Sequence, residues 1–295
     1  MSPWSCPLCA HENTEDAVAP RLPPSVVQCR RCGLYTVQPR PQSVLPFYPS
    51  DYEPFWLPVA EEPNPVLRWE HRRHYEYRCQ ALRQIAPSGG VVLDVGCGTG
   101  GFLAALCHDG LWQGVGVDFA AGAVQVARRQ GVSARLGELS DLRFPDAEFD
   151  AVTLWEVIEH VLDPLELIQE IHRILKPGGR LWLSTPNGES WQARFWRQFW
   201  RGWDPPRHLQ VFSPQSLAYL LRLAGFEAVR KWAFPQERYY LVASARQWRH
   251  ARGWRVEATE LLSDLLGIAA WPWLRLIDHS RFASAMVVEA RLSTS

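Results

Sequence analysis

The sequence predicts an α/β fold organised around a parallel, doubly wound sheet. Two observations carry this reading. Beyond residue 64, short apolar runs alternate with helix-like stretches, and one of these runs ends in a glycine-dense turn, VVLDVGCGTGG at residues 91–101. Val91–Leu93 read as a strand, Asp94 follows, and Gly96, Gly98, Gly100 and Gly101 crowd the turn before FLAALC opens a helix. A strand that ends in glycines lets a ligand lie against bare backbone, because no Cβ blocks the approach. The free N–H groups of the helix start then favour a negative end of that ligand. The turn points to a nucleotide-like small molecule at the tip of a parallel sheet.

In chain order, the pairs Cys6-x-x-Cys9 and Cys29-x-x-Cys32 come first, 19 residues apart, with Gly33 after the second. Each pair can form a knuckle whose sulfurs converge, and two knuckles give the four-thiolate tetrahedron that zinc favours. A site closed by four sulfurs leaves no position for substrate, so this Zn2+ is expected to be structural, replacing a core that residues 1–40 are too few to build. Residues 41–63, rich in proline and aromatics, read as a connector lying extended against the main domain, with tyrosines and Trp56 that either roof a substrate site or act as a tether. Residues 64–86 read as a helix, with Leu67, Tyr75, Cys79, Leu82 and Ile85 near helical spacing. After the glycine turn, GVGVD forms a second strand ending at Asp118, and ARL a third, which runs into GELSDLRFPDAEFD. The strand AVTLW, the segment EVIEHVLDP, a helix ending in LKPGG and the strand RLWLSTP follow.

Composition narrows the classes. At 295 residues the chain can bury one large core with one or two appendages. Its 31 basic and 31 acidic residues balance, so no whole-chain field draws it to nucleic acid, and no nucleic-acid partner is expected. The start, MSPWSCPLCA, lacks the apolar core of a signal peptide, and the apolar run LLGIAAWPWL is too short to cross a bilayer. A reducing cytoplasm is expected, where paired cysteines serve metal binding more often than disulfides.

The glycine spacing alone leaves two cofactors open. Gly96, Gly98 and Gly101 match the dinucleotide pattern G-x-G-x-x-G, whereas Gly96, Gly98 and Gly100 match G-x-G-x-G. Taken with the ordered blocks that follow, residues 64–234 and 286–291 resemble the class I S-adenosylmethionine (SAM)-dependent methyltransferases. The resemblance implies seven mostly parallel strands with helices on both faces. It implies that Gly96, Cys97, Gly98 and Gly100 wrap the methionine half of SAM, with Asp94 beneath its ammonium group. Asp118 would hold both ribose hydroxyls, and Phe119 would pack on the adenine. Glu138 and the Leu139 amide would read the adenine edge, and Trp155 and Glu156 would line the sulfonium. Glu138 departs from the aspartate frequent in the family, but a longer carboxylate can still accept from an amino group.

The acceptor side is read from two inserts in a domain spanning residues 64–295. Residues 186–212 are crowded with Trp191, Phe195, Trp196, Phe199, Trp200 and Trp203, the composition of a lid or a docking surface. Residues 235–285 read as helices that cap the site, with 261–277 apolar enough to suggest peripheral membrane contact. His160, in EVIEHV, and His208, in DPPRHLQVF, are the candidate bases, since imidazole titrates near working pH. Glu159 is placed to orient a histidine or to bind a divalent ion. The whole pattern resembles a bacterial subgroup from glycan and deoxysugar gene clusters, which implies a sugar or glycan intermediate as acceptor. In the related sugar C-methyltransferases, histidines at the positions of His160 and His208 help deprotonate a keto-sugar. Those enzymes carry a large extra carboxyl-terminal domain, which this sequence does not match. Glu159, His160 and Asp163 also match the EH-x-x-D of quinone O-methyltransferases, which implies a lipophilic acceptor instead. A non-catalytic SAM-binding interaction protein is the third alternative.

Overall fold

The computed structural model describes residues 4–13, 22–48, 59–233, 236–254 and 282–293, with scattered positions between 267 and 280. The amino-terminal part contributes β1 (Trp4–Ser5), β2 (Glu12–Asn13), β3 (Val26–Gln28) and β4 (Tyr35–Val37). Then come α1 (Pro65–Ile85), β5 (Gly90–Val95), α2 (Gly101–Leu106), β6 (Trp112–Asp118), α3 (Ala121–Arg129), β7 (Ser133–Leu136), β8 (Phe149–Trp155), α4 (Pro164–Ile174) and β9 (Leu175–Pro186). The rest comprises α5 (Trp191–Trp196), β10 (Gln210–Val211), α6 (Pro214–Leu223), β11 (Phe226–Ala233), α7 (Glu237–His250) and β12 (Ala285–Leu292).

Seven strands form the main sheet in the order β11-β12-β9-β8-β5-β6-β7. The pairs among β9, β8, β5, β6 and β7 are parallel, while β12 runs antiparallel to both β9 and β11. Alternation along the strands divides the core between the two faces. Leu93, Val152, Leu154, Leu181 and Leu183 point to the face that holds Ile168 and Ile171 of α4 and Leu220 of α6. Val92, Ala151 and Trp182 point to the face that holds Leu82 of α1, Phe102 of α2 and Val124 of α3. From β5 the chain runs to β6 on one side, while β8 lies on the other. This reversal opens a crevice at the carboxyl ends of β5 and β8, where open sheets of this kind bind ligands.

Local signals explain where the site-bearing loops begin and end. Asp163 caps α4 by accepting from Leu165 N and Glu166 N, with Pro164 in the first turn. That helix stops at Ile174, short of the LKPGG expected from the sequence. Pro177 disfavours helical backbone at the preceding Lys176, so Leu175 already belongs to β9.

A second sheet, in the order β10-β4-β3, joins the amino-terminal hairpin to the strand that returns from residues 186–212. Thr36 lies opposite Gln210 and Tyr35 opposite Val211. Trp200 and Trp203 of that insert are buried, with Trp203 5.0 Å from the Tyr35 ring and Trp200 stacked on Tyr240 at 5.6 Å. Phe195 remains 64% exposed. Most of 261–277 lies outside the described residues; among those described there, Trp273 and Leu276 are exposed and Leu274 is buried. No helix among the described residues is long and apolar enough to cross a membrane.

Candidate active site

The glycine turn sits at the carboxyl end of β5, in the crevice the topology predicts. Gly96 N and Cys97 N both donate to Val117 O, which ties the turn to β6. Gly98 has φ +52°, and a Cβ there would meet nothing within 4 Å. The space above it is open to a ligand. Gly101 serves packing instead, because a Cβ there would strike the Tyr75 ring of α1. Asp118 ends β6, with Oδ2 accepting from Gly98 N at 2.9 Å and Oδ1 from Ala120 N at 2.8 Å. The two amides fix the carboxylate and leave each oxygen a further lone pair for a diol. Gly137 N donates to Asp118 O, which carries the exposed Glu138 and the buried Leu139 to the same end of the sheet. Phe119 is part-exposed beside them.

Asp94 is buried in β5 and accepts from Thr153 Oγ1 at 2.6 Å. Burial pushes its carboxyl up to about 7, against the opposing pull of that bond and of Arg78. Burial likewise raises Asp118 and Glu156. Glu156 follows β8 in left-handed backbone, φ +57°, with its N donating to Ser184 O. Its Oε2 accepts from Tyr240 at 3.1 Å. Arg78 lies 4.7 Å over the Trp155 ring. Cys97 does not turn its thiol to this crevice: the side chain packs on Gly116, where a Cβ would overlap its Sγ. Only its backbone can face a cofactor.

His160 and His208 come together, their rings 4.6 Å apart and nearly perpendicular. His160 Nδ1 lies 3.0 Å from Arg207 O and 2.7 Å from the Tyr48 hydroxyl. A carbonyl can only accept, so the Arg207 bond places the proton on Nδ1, and Tyr48 shares it as second acceptor. His208 Nδ1 is 2.8 Å from Gly202 O, which fixes the same tautomer. Each ring then keeps its lone pair on Nε2. Burial lowers both basicities, His160 to about 4, so both are neutral bases at pH 7. Glu159 is fully buried, with Oε2 accepting from Thr185 at 3.0 Å and Oε1 4.0 Å from His160 Nε2. Burial, with the Glu156 charge added, holds its carboxyl well above the usual range. One ligating atom each from Glu159, His160 and His208 lie within 4.8 Å of one another.

The four amino-terminal thiols also converge. Cys6 Sγ is 3.6 Å from Cys32 Sγ, and Cys9 Sγ is 3.6 Å from Cys29 Sγ, with all four within 4.8 Å of one another. A tetrahedron of sulfurs at zinc's bond length has edges of about 3.8 Å, so the set matches that metal's size and chemistry. The residues of the glycine crevice likewise match SAM: bare backbone at Gly98, an anchored carboxylate for a diol, and buried acids for a cation.

Several residues of the site gave no sequence signal. Arg78 lies mid-helix among other arginines, Tyr240 comes from the insert after β11, and Thr185 and Gln210 sit in ordinary strands. Tyr48 belonged to a connector whose tyrosines were candidates for a roof, and it meets Phe119 edge-on at 5.1 Å as well as His160.

Comparison with known proteins bears on the same region. The family described as "Methyltransferase domain" matches residues 69–231, more than half of the chain. A Mycolicibacterium smegmatis protein named "Probable S-adenosylmethionine-dependent methyltransferase" is 35% identical over 164 residues, 54% of this chain and 59% of the relative. A ubiquinone biosynthesis O-methyltransferase of Xanthomonas axonopodis pv. citri is 40% identical over 111 residues, 35% of this chain and 46% of that protein. The chain therefore spans about half the length of these curated relatives. Phosphoethanolamine N-methyltransferase 2 of Haemonchus contortus, solved with S-adenosyl-L-methionine, shares the fold at a TM-score of 0.51 and 19% identity, over 74% of this chain and 53% of that one. With the glycine turn, the strand order and the domain match in agreement, the chain belongs to the methyltransferase-domain family.

Proposed function

We propose that the chain transfers a methyl group from SAM to a small-molecule acceptor of the sugar or glycan-intermediate class. Gly96, Gly98, Gly100 and the Cys97 backbone would hold the methionine half, with Asp94 under its ammonium group. Asp118, Phe119, Glu138 and Leu139 would hold the adenosine, and Trp155 and Glu156 would stand beside the sulfur. SAM bound there supplies an electrophilic methyl group. The observation that carries the acceptor side is the histidine pair, two neutral imidazoles 4.6 Å apart, one following β8 and the other preceding β10. One Nε2 would take the acceptor's proton as the methyl group is transferred, and the other ring would pack beside it. A positioned base contributes roughly 10²–10⁴ in rate, and alignment contributes more. Residues 1–40 would form a zinc module and 41–63 its connector, with zinc structural.

A second reading, O-methylation of a lipophilic phenol or quinone, is favoured by the relatives named for ubiquinone biosynthesis, 40% to 41% identical over about a third of the chain. The test is calorimetry with SAM on the wild type and Asp118→Ala, then incubation of the protein with methyl-labelled SAM and source-cell extract, read by mass spectrometry. Binding lost in Asp118→Ala and a labelled sugar-type product are expected. Undiminished binding in Asp118→Ala defeats the cofactor site, and a labelled phenol selects the second reading.

A further inference from the structure

We propose that Arg40 is a positioning residue: it clasps the amino-terminal hairpin to the Ile158–Leu162 turn, and through Gln210 it sets where His160 and His208 stand. The inference rests on the reading that these histidines face the acceptor. Its warrant is the way that turn is held. Arg40 Nη2 donates to Leu162 O at 2.6 Å and to Gln210 Oε1 at 2.7 Å. Nη1 donates to Thr36 Oγ1 at 3.1 Å and, more weakly, to Leu209 O at 3.4 Å. With its Oε1 fixed by Arg40, Gln210 turns Nε2 inward, donating to Ile158 O at 2.7 Å and Val161 O at 2.9 Å. Leu209 N donates to Glu159 O at 2.8 Å. Carbonyls at 158, 159, 161 and 162 are thus caught from one side, with His160 in the middle of the turn.

His208 directly precedes Leu209, so the second histidine rides on the strand that does the catching. That strand is held in turn by β4: Val37 N and Thr36 Oγ1 both donate to Leu209 O. Cys29 and Cys32 lie in the turn of the same hairpin, between β3 and β4. Gln210 is fully buried and Arg40 half-buried. Guanidinium is the group this geometry needs, because its rigid fork reaches Leu162 O and Gln210 Oε1 together with Thr36, whereas an ammonium on a flexible stem cannot meet all of them in plane. The hairpin is therefore part of the acceptor site's framework.

The test uses the full-length, zinc-loaded protein with 15N-labelled histidine. Long-range 1H–15N spectra report which ring nitrogen carries the proton, with His160→Gln and His208→Gln assigning the two signals. The wild type should show the Nδ1–H tautomer at both. Arg40→Ala should shift the His160 pattern toward mixed tautomers, and added guanidinium ion should restore it. Arg40→Lys keeps the charge but not the fork, and should behave like Arg40→Ala. Methyl transfer into the extract-derived acceptor should fall by about 10²-fold in kcat/KM, the size expected for a small misplacement of reacting groups. The SAM Kd should stay within about twofold, since the glycine crevice is untouched. Wild-type histidine spectra in Arg40→Lys overturn the clasp, and this arm decides the matter if Arg40→Ala does not fold. Spectra that shift as expected while no variant transfers methyl leave the clasp standing and count against the enzymatic reading alone.

Discussion

Gly96, Gly98 and Gly100 of the β5 turn should respond to one added methyl in different ways. All three have positive φ, +73° at Gly96, +52° at Gly98 and +80° at Gly100, so alanine at each costs about 1–2 kcal/mol of backbone strain. They differ in what the Cβ meets. At Gly96 it overlaps Val157 Cγ2, and at Gly100 it comes to 3.0 Å from both Ala127 Cβ and Val132 Cγ2. Overpacking of that kind adds about 1–3 kcal/mol. At Gly98 it meets nothing within 4 Å. Gly98→Ala should therefore lose only the strain, lowering Tm by ~2–4 °C per kcal/mol. Its methyl instead occupies the space where the cofactor would lie. If the same ~1–3 kcal/mol of overpacking falls on the complex, SAM affinity drops by roughly 5- to 150-fold. Gly96→Ala should show the larger loss of stability. Differential scanning calorimetry of the ligand-free proteins and titration calorimetry with SAM separate the two quantities. Wild-type SAM affinity in Gly98→Ala, or a Gly98→Ala protein less stable than Gly96→Ala, would refute the assignment of that space.

Further consequences can be measured. Purified protein should contain one zinc per chain by elemental analysis, and Cys29→Ser or a strong chelator should remove it and lower Tm, as expected where metal binding is coupled to folding. Asp94, raised to about 7 in the fold from the ordinary carboxylate value, contributes stability that is complete below pH 4 and is lost as pH rises through 7, with a slope of at most ~1.4 kcal/mol per pH unit. Cation binding over Asp94 favours its ionised form, so SAM affinity should rise up to about pH 7 and then level, with proton release visible by calorimetry in buffers of different ionisation heat. His160, lowered to about 4, should give methyl transfer with an acid limb near pH 4, and His160→Gln should cut the rate by about 10²-fold; an acid limb near 6.5 would contradict the buried geometry. Glu237, buried and accepting from Trp191 Nε1, Gln192 Nε2, Ser284 N and Ser284 Oγ, joins α5 and α7 to β12. Glu237→Ala strands those donors and should cost at least about 3 kcal/mol by chemical denaturation.

What the sequence revealed and what it hid divide by range. The glycine turn, Asp118 and the cysteine knuckles are local: their chemistry is written in neighbouring residues, and the structure brings each set together where spacing implied. No local pattern links His160 to His208, and their meeting depends on β10 pairing with β4, a register that sets Gln210 opposite Thr36 and Val211 opposite Tyr35. Arg40 and Arg78 could not be told from the other arginines of an arginine-rich chain, because what distinguishes them is the carbonyls and rings they reach. The burial of Glu159 has no local signal for the same reason, since the groups it meets, Thr185 and the Leu209 amide, are distant in sequence. The helix α4 ends short of the expected LKPGG because the constraint of Pro177 acts backward on Lys176.

The placement of β12 has a consequence for synthesis on the ribosome. Ala285–Leu292 lies inside the sheet, bonded to β9 on one edge and β11 on the other. Until those residues emerge, a nascent chain carries two unpaired strand edges, one on β9 and one on β11, and both can pair wrongly with other molecules. Chaperone capture of stalled or shortened chains should fall sharply once Leu292 clears the exit tunnel.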